Sequence, residues 1–214
     1  MNIVDLTHSM TNGMPVYPGT KPPLFEQTNT IENDGFAELI IQMPTHTGTH
    51  MDAPCHVLKN AKSLSDFGLQ KFTGYAIKIP CHNFAAMEIT LEYLQIYTDE
   101  IATSDFVILE TGWDKFWGKP AYYENFPVLS NKAAEWLSQF QLKGIGLDTI
   151  SLDKVSSENL PNHRLFLEKE ILIIENLCHL DAIKQNKFTF QCFPMAINGA
   201  DGSQIGRASC RERV

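Results

Sequence analysis

The stretch His46-Thr-Gly-Thr-His50-Met-Asp52-Ala-Pro-Cys-His56 places three imidazoles and one carboxylate within eleven residues. Imidazole nitrogen together with carboxylate oxygen suits Zn²⁺, Mn²⁺ or Fe²⁺ better than Ca²⁺, which takes oxygen alone. All four positions are even, so an extended chain points His46, His50, Asp52 and His56 to one side and Cys55 to the other. A helix would also face His46 toward His50, but Thr-Gly-Thr and Pro54 disfavour helix here. Gly48 lets the backbone turn tightly, as ligands gathering around an ion require. The competing reading is a set of surface or hydrogen-bonded histidines. One histidine alone would favour it; three of them sharing parity with a carboxylate favour a metal site.

A second candidate is Glu175. It follows Ile171-Leu-Ile-Ile and so closes a buried strand, where an unpaired carboxylate is costly. Coordination to a cation would remove that cost, as would a buried salt bridge with Arg164 or Lys169. His8, His82 and His179 have no partner pattern and read as structural or solvent-exposed. Cys55 lacks the Cys/His/Asn arrangement of a thiol nucleophile. Asp148, Ser151 and Asp153 lack the Gly-x-Ser-x-Gly elbow of a serine hydrolase; Asp148 and Ser151 read as hydrogen-bonding residues near the site.

The elements that would position these groups alternate in type. Residues 3–6 read as a short strand, followed by a loop rich in Gly and Pro through residue 23. Residues 36–43, closed by Pro44, and residues 73–80 read as strands. Thr90 caps a short helix to Tyr97. Residues 106–110 form a buried-strand run, and Ser130 caps a helix over 131–140 with Ala134, Leu137 and Phe140 on one face. Residues 144–147 and 171–174 are further buried strands. Strands alternating with helices over one continuous chain predict a single α/β domain.

Composition narrows the partners. A formal net charge of −8 over 214 residues, with scattered Lys and Arg, gives no footprint for nucleic acid or for an anionic membrane surface. The 43% hydrophobic content is that of an ordinary globular core. The first residues lack the basic and apolar regions of a signal peptide. Five cysteines, widely spaced and with no CxxC pair, fit a reducing, cytoplasmic setting.

Residues 205–214 differ from everything before them, with three Arg and almost no apolar periodicity. Codon for codon they translate a common short-read sequencing adapter (ATC GGA AGA GCG TCG TGT AGG GAA AGA GTG). The expected organisation is one domain over residues 1–204 and a non-native tail over residues 205–214.

The motif His46-x-Gly48-Thr49-His50-x-Asp52-x-Pro54-x-His56 resembles the signature of the cyclase family of metal-dependent hydrolases, which includes bacterial kynurenine formamidases and isatin hydrolases. The resemblance covers nearly the whole chain before the tail. It includes Asp5-Leu-Thr-His8, Met14-Pro-Val-Tyr-Pro-Gly19, Thr111-Gly112-Trp113, Gly144-Ile-Gly-Leu-Asp148-Thr-Ile-Ser151 and Gly199-Ala-Asp-Gly-Ser203. It implies an α/β fold, a single swivelling β/β/α-type domain with a central mixed sheet. It also brings in the segment from Asn162-His163 to Glu175 as the second metal-binding stretch.

By this resemblance two divalent cations are expected, zinc ahead of manganese. His46, His50 and Asp52 would hold one, Asp52 and His163 the second, and Glu175 would touch both. His56 would carry a proton from the metal-activated water to the leaving amine, its alternative role being a further ligand. The implied activity is arylformamidase-like: hydrolysis of N-formylkynurenine or a related small aromatic amide to amine and formate, a step of tryptophan catabolism. The alternative is opening of a cyclic amide or lactone such as isatin. Tyr17 stands where such a formamidase carries Trp against the substrate ring and is the expected substrate-binding residue. A homodimer or higher homo-oligomer is implied as well.

Overall fold

A computed structural model describes residues 2–84, 88–205 and 209–212. Its core is a nine-stranded mixed sheet built, in chain order, from β1 (Asn2–Asp5), β2 (His50–Asp52), β3 (Thr73–Pro80), β4 (Phe106–Glu110), β5 (Gly144–Leu147), β6 (Leu172–Glu175), β7 (Lys187–Gln191), β8 (Gly202–Gln204) and β9 (Ser209–Glu212). Across the sheet the order is β1-β9-β7-β3-β4-β5-β6-β2-β8. The central strands β3, β4, β5 and β6 run parallel, and the flanking pairs are antiparallel.

Alternation along the strands assigns each side chain to a face. Val107 and Leu109 join Ile77, Ile79, Ile145, Leu147 and Ile173 in one core. Helices on that face include α1 (Leu91–Gln95), α2 (Asn131–Leu137) and α3 (Pro161–Glu168), which contribute Leu94, Leu137 and Phe166. Phe106 and Ile108 turn the other way, with Ala76, Leu172, Ile174, Phe188 and Phe190, under loops carrying Leu64, Leu177 and Leu180. Met51 belongs to this second core, so His50 and Asp52 project from the helix-covered face.

Local boundaries depart modestly from the sequence reading. Thr90 and Ser130 cap their helices through side-chain hydrogen bonds, but α1 stops at Gln95 and α2 at Leu137. The strand read at 171–174 runs from Leu172 to Glu175, so Glu175 is inside the ladder. The strand read at 36–43 is Glu38–Gln42 and pairs with an unforeseen strand, Leu24–Asn29, as a hairpin. That hairpin stands off the body: Phe36, Leu39, Ile40 and Ile41 are each about half exposed. Within the 205–214 segment, residues 206–208 and 213–214 lie outside the described residues. Ser209–Glu212 fills the slot between β1 and β7. Among the described residues no helix is long and apolar enough to cross a membrane.

Candidate metal centre

The centre lies where β2 and β6 meet the first turn of α3. In the antiparallel register Glu175 is opposite His50, and Ile173 is opposite Asp52. On the outer side of β2, Gln204 is opposite His50 and Gly202 is opposite Asp52. The extended-chain reading holds for His50 and Asp52 only. His46 comes in ahead of a turn at Gly48, which takes φ +66°, and His56 sits in a single turn of 3₁₀ helix, Pro54–His56. Gly202 makes room for the His46 ring, because a Cβ there would lie 2.5 Å from its Cε1.

Two carboxylates divide their oxygens between the same two imidazoles. Asp52 Oδ1 is 3.3 Å from His50 Nε2, and Oδ2 is 3.6 Å from His163 Nε2. Glu175 Oε2 is 3.6 Å from His50 Nε2, and Oε1 is 3.1 Å from His163 Nε2. Glu175 Oε1 also accepts the Leu152 N–H at 2.8 Å. Arg164 is committed elsewhere, donating to the carbonyls of Asn159 and Val57, so the salt-bridge alternative for Glu175 does not operate through it.

The outward ring nitrogens are pinned. His50 Nδ1 donates to the Gly48 carbonyl at 2.8 Å, and His163 Nδ1 donates to Asp153 Oδ2 at 2.7 Å. Each ring therefore turns its Nε2 toward the carboxylates. His46 is held at both nitrogens, Nδ1 at 2.7 Å from Asp52 Oδ1 and Nε2 at 3.2 Å from Asp201 Oδ2.

His50, Asp52, Asp153, His163 and Glu175 are buried, His46 and Asp201 partly so, and carboxylates crowd the imidazoles. Burial depresses the His46 imidazole, but the Asp52 and Asp201 carboxylates outweigh it and raise its pKa to about 9. At His163 burial is likewise outweighed, by Asp153, Glu175 and Asp52, and the pKa rises to about 10. Asp52 pays for its burial but is held well below the usual carboxylate range by His46 and His50. Protons are thus drawn into the centre wherever a cation could serve instead. The donor chemistry fits divalent ions: donor atoms of His50, Asp52 and Glu175 lie within 4.8 Å of one another, and so do those of His46, Asp52 and His56. This grouping differs from the sequence expectation, which pairs His46 with His50. It makes His56 a possible ligand partner of His46, and Asp52 belongs to both sets.

The centre forms the floor of a cavity of about 390 Å³ with Pro15, Val16, Tyr17, Ile150 and Leu160 among its walls. His56 lines it, its ring 3.9 Å from that of His46 between centroids, and its pKa is lowered chiefly by burial. Tyr17 also lines it and donates its hydroxyl to the Val155 carbonyl at 3.3 Å, tying together the two loops that roof the cavity. His8 stacks flat on Trp117, His82 lies 3.5 Å from Glu110, and His179 bonds the Asp5 carbonyl; none of the three is among the described residues lining the cavity. Asp148 accepts from Thr111 and from the Gly112 N–H, and Ser151 accepts the Asp153 N–H.

Sequence reasoning gave no role to Asp153 or Asp201, whose partners appear only on folding. For Asp201 a signal existed, since it lies in the Gly199–Ser203 motif.

Fold and site together define a class: an α/β protein with a carboxylate- and imidazole-rich cation centre at the floor of a small cavity. The Cyclase family model matches residues 4–154, and the chain belongs to the cyclase family. It is 29% identical over 210 residues to the kynurenine formamidase of Geobacillus thermodenitrificans (strain NG80-2), spanning 98% of this chain and 97% of that protein. It is 27% identical to the kynurenine formamidase of Bordetella avium (strain 197N) over 213 residues, 97% of each chain. Isatin hydrolase A from Ralstonia solanacearum superposes with a TM-score of 0.87 at 22% identity, covering 98% of this chain and 91% of that one, a likeness of fold.

Proposed function

We propose that the chain is a metal-dependent amidohydrolase of the arylformamidase type, hydrolysing N-formylkynurenine or a related small aromatic amide to amine and formate. The observation that carries this reading is the pair Asp52 and Glu175, each offering one oxygen toward His50 and one toward His163 beneath a cavity walled in part by Pro15, Val16, Tyr17, Ile150 and Leu160. The names of the two kynurenine formamidases support the substrate class. His46, His50, Asp52, His163 and Glu175 would hold two divalent cations, with Asp52 and Glu175 shared. The mixed nitrogen and oxygen donors favour zinc, with manganese as the second choice. When bound, such ions supply a nucleophilic water at neutral pH and stabilise charge on the substrate carbonyl oxygen.

The chain's own groups do the rest. The apolar walls seat an aromatic ring, with Tyr17 available to stack against it. His56 has no ring nitrogen within hydrogen-bond distance of a described residue, and it faces the cavity. It can therefore accept the proton of the attacking water and return it to the departing nitrogen, completing addition of water across the C–N bond. Formate release from N-formylkynurenine by the zinc- or manganese-loaded protein, abolished by chelation, is the test. Turnover of isatin without turnover of formylkynurenine would replace this reading with the ring-opening alternative, which the fold likeness to isatin hydrolase A favours.

The assembly proposed is a homodimer or higher homo-oligomer. Its support is the exposed hairpin, since a two-stranded hairpin with apolar side chains in water is marginal by itself. A monomeric mass by light scattering at micromolar concentration would sink it. A cytoplasmic setting is proposed from the free thiols of Cys55, Cys81, Cys178 and Cys192. Residues 205–214 are proposed to be foreign to the native gene on the strength of the adapter match, and sequencing the source locus tests it.

A further inference from the structure

Asp153 belongs to no metal-ligand motif, is 2% exposed, and spends its carboxylate entirely on one helix end. Oδ1 accepts the Asn162 N–H at 3.1 Å; Oδ2 accepts both the His163 N–H at 3.0 Å and the His163 ring Nδ1–H at 2.7 Å. Helix α3 needs that service. Its own N-cap position is Leu160, at φ +45°, with no side-chain cap hydrogen bond, and Pro161 begins the helix. A carboxylate from eight residues earlier thus holds the helix's first amides and the imidazole projecting from the same turn.

We propose that Asp153 is a positioning residue: it takes the Nδ1–H of His163 and aims Nε2 at the gap between Asp52 and Glu175, so that cation retention depends on it. Helix start and ring orientation are set by one side chain, and neither can shift without the other. The negative charge behind the ring also makes Nε2 a better donor to a cation. This inference rests on the reading of His163 as a ligand.

The test uses the full chain and Zn²⁺ alone, with affinity measured by competition against a chromophoric chelator. Asp153→Ala is expected to weaken zinc binding about 10- to 100-fold. Asp153→Asn keeps an acceptor oxygen but no charge and should fall between wild type and Asp153→Ala. A purely structural role is separated by the His163→Ala background, where Asp153→Ala should change affinity by less than about twofold, there being no ring to aim. Unchanged zinc affinity in a folded Asp153→Asn protein, or an equal loss with and without the His163 ring, overturns the proposal. A wild-type chain that binds no zinc would instead defeat the metal-centre reading itself.

Discussion

Glu175 lies directly across the antiparallel ladder from His50, with its Oε2 3.6 Å from the His50 Nε2. Two residues from distant parts of the chain are placed by a backbone register, independent of any flexible loop. Strand pairing holds this half of the centre rigid before any ligand arrives.

Glu175→Gln keeps the size and the amide oxygen but removes the charge that the two imidazoles face. Zinc content should drop below one ion per chain by elemental analysis, and formamidase activity should fall by at least about 100-fold, the upper end of what losing a mere supporting partner costs. The circular dichroism spectrum should stay that of the wild type. Full activity at full metal content would remove Glu175 from the centre.

His56→Ala separates proton transfer from ligation. If His56 moves the proton, the variant should hold its metal while kcat falls about 10²- to 10⁴-fold. The acid limb of the kcat/KM profile should vanish with it. Loss of one metal ion per chain would instead assign His56 to the His46–Asp52 donor set.

Stability of the metal-free protein should fall as pH rises. His163 at about 10 and His46 at about 9 lie above the ordinary imidazole value of 6.5 in the folded state. Their protonated forms therefore stabilise the fold fully below pH 6.5, and that contribution is lost as pH climbs through 9 and 10. His8 at about 4 and Asp148 at about 6 titrate below this window. Between pH 6.5 and 8.5 the Tm of chelated protein should decline, and His163→Ala should flatten the slope. Zinc should bind with proton release, seen as a buffer-dependent calorimetric enthalpy.

Tyr17→Phe removes the hydroxyl that ties the two roof loops through the Val155 carbonyl. A bond of this kind contributes about 0.5–1.5 kcal/mol. KM should therefore rise about two- to tenfold with kcat little changed. A KM that stays put would show that the clasp does not shape the cavity.

Much of the centre was legible because its chemistry is concentrated: His46, His50, Asp52 and His56 share eleven residues. Glu175 was legible as a buried carboxylate needing a partner, but burial alone favoured a salt bridge, and the family resemblance made it a ligand candidate. His163 entered through family resemblance; by itself a histidine in a helix's first turn carries little signal. Asp153 was out of reach because it finds its imidazole ten residues away and an aspartate in a loop looks like a solvated one, whereas Asp201 lay in the Gly199–Ser203 motif but was given no role. In the fold, the central strands β4, β5 and β6 announced themselves as apolar runs, whereas the buried strands β2 and β8, rich in polar residues, did not. The strand Leu24–Asn29 did not, because its partner in the hairpin is exposed and neither strand alternates toward a core.

The lodging of β2 between β6 and β8 has a consequence for how the centre can come into being. A slip of one residue in either ladder would turn Met51 into the cavity and bury His50 and Asp52 among the hydrocarbons of the opposite core. No halfway version of the site exists, so its assembly is all-or-none. Single-residue insertions or deletions between Thr49 and Ala53 should abolish metal binding outright.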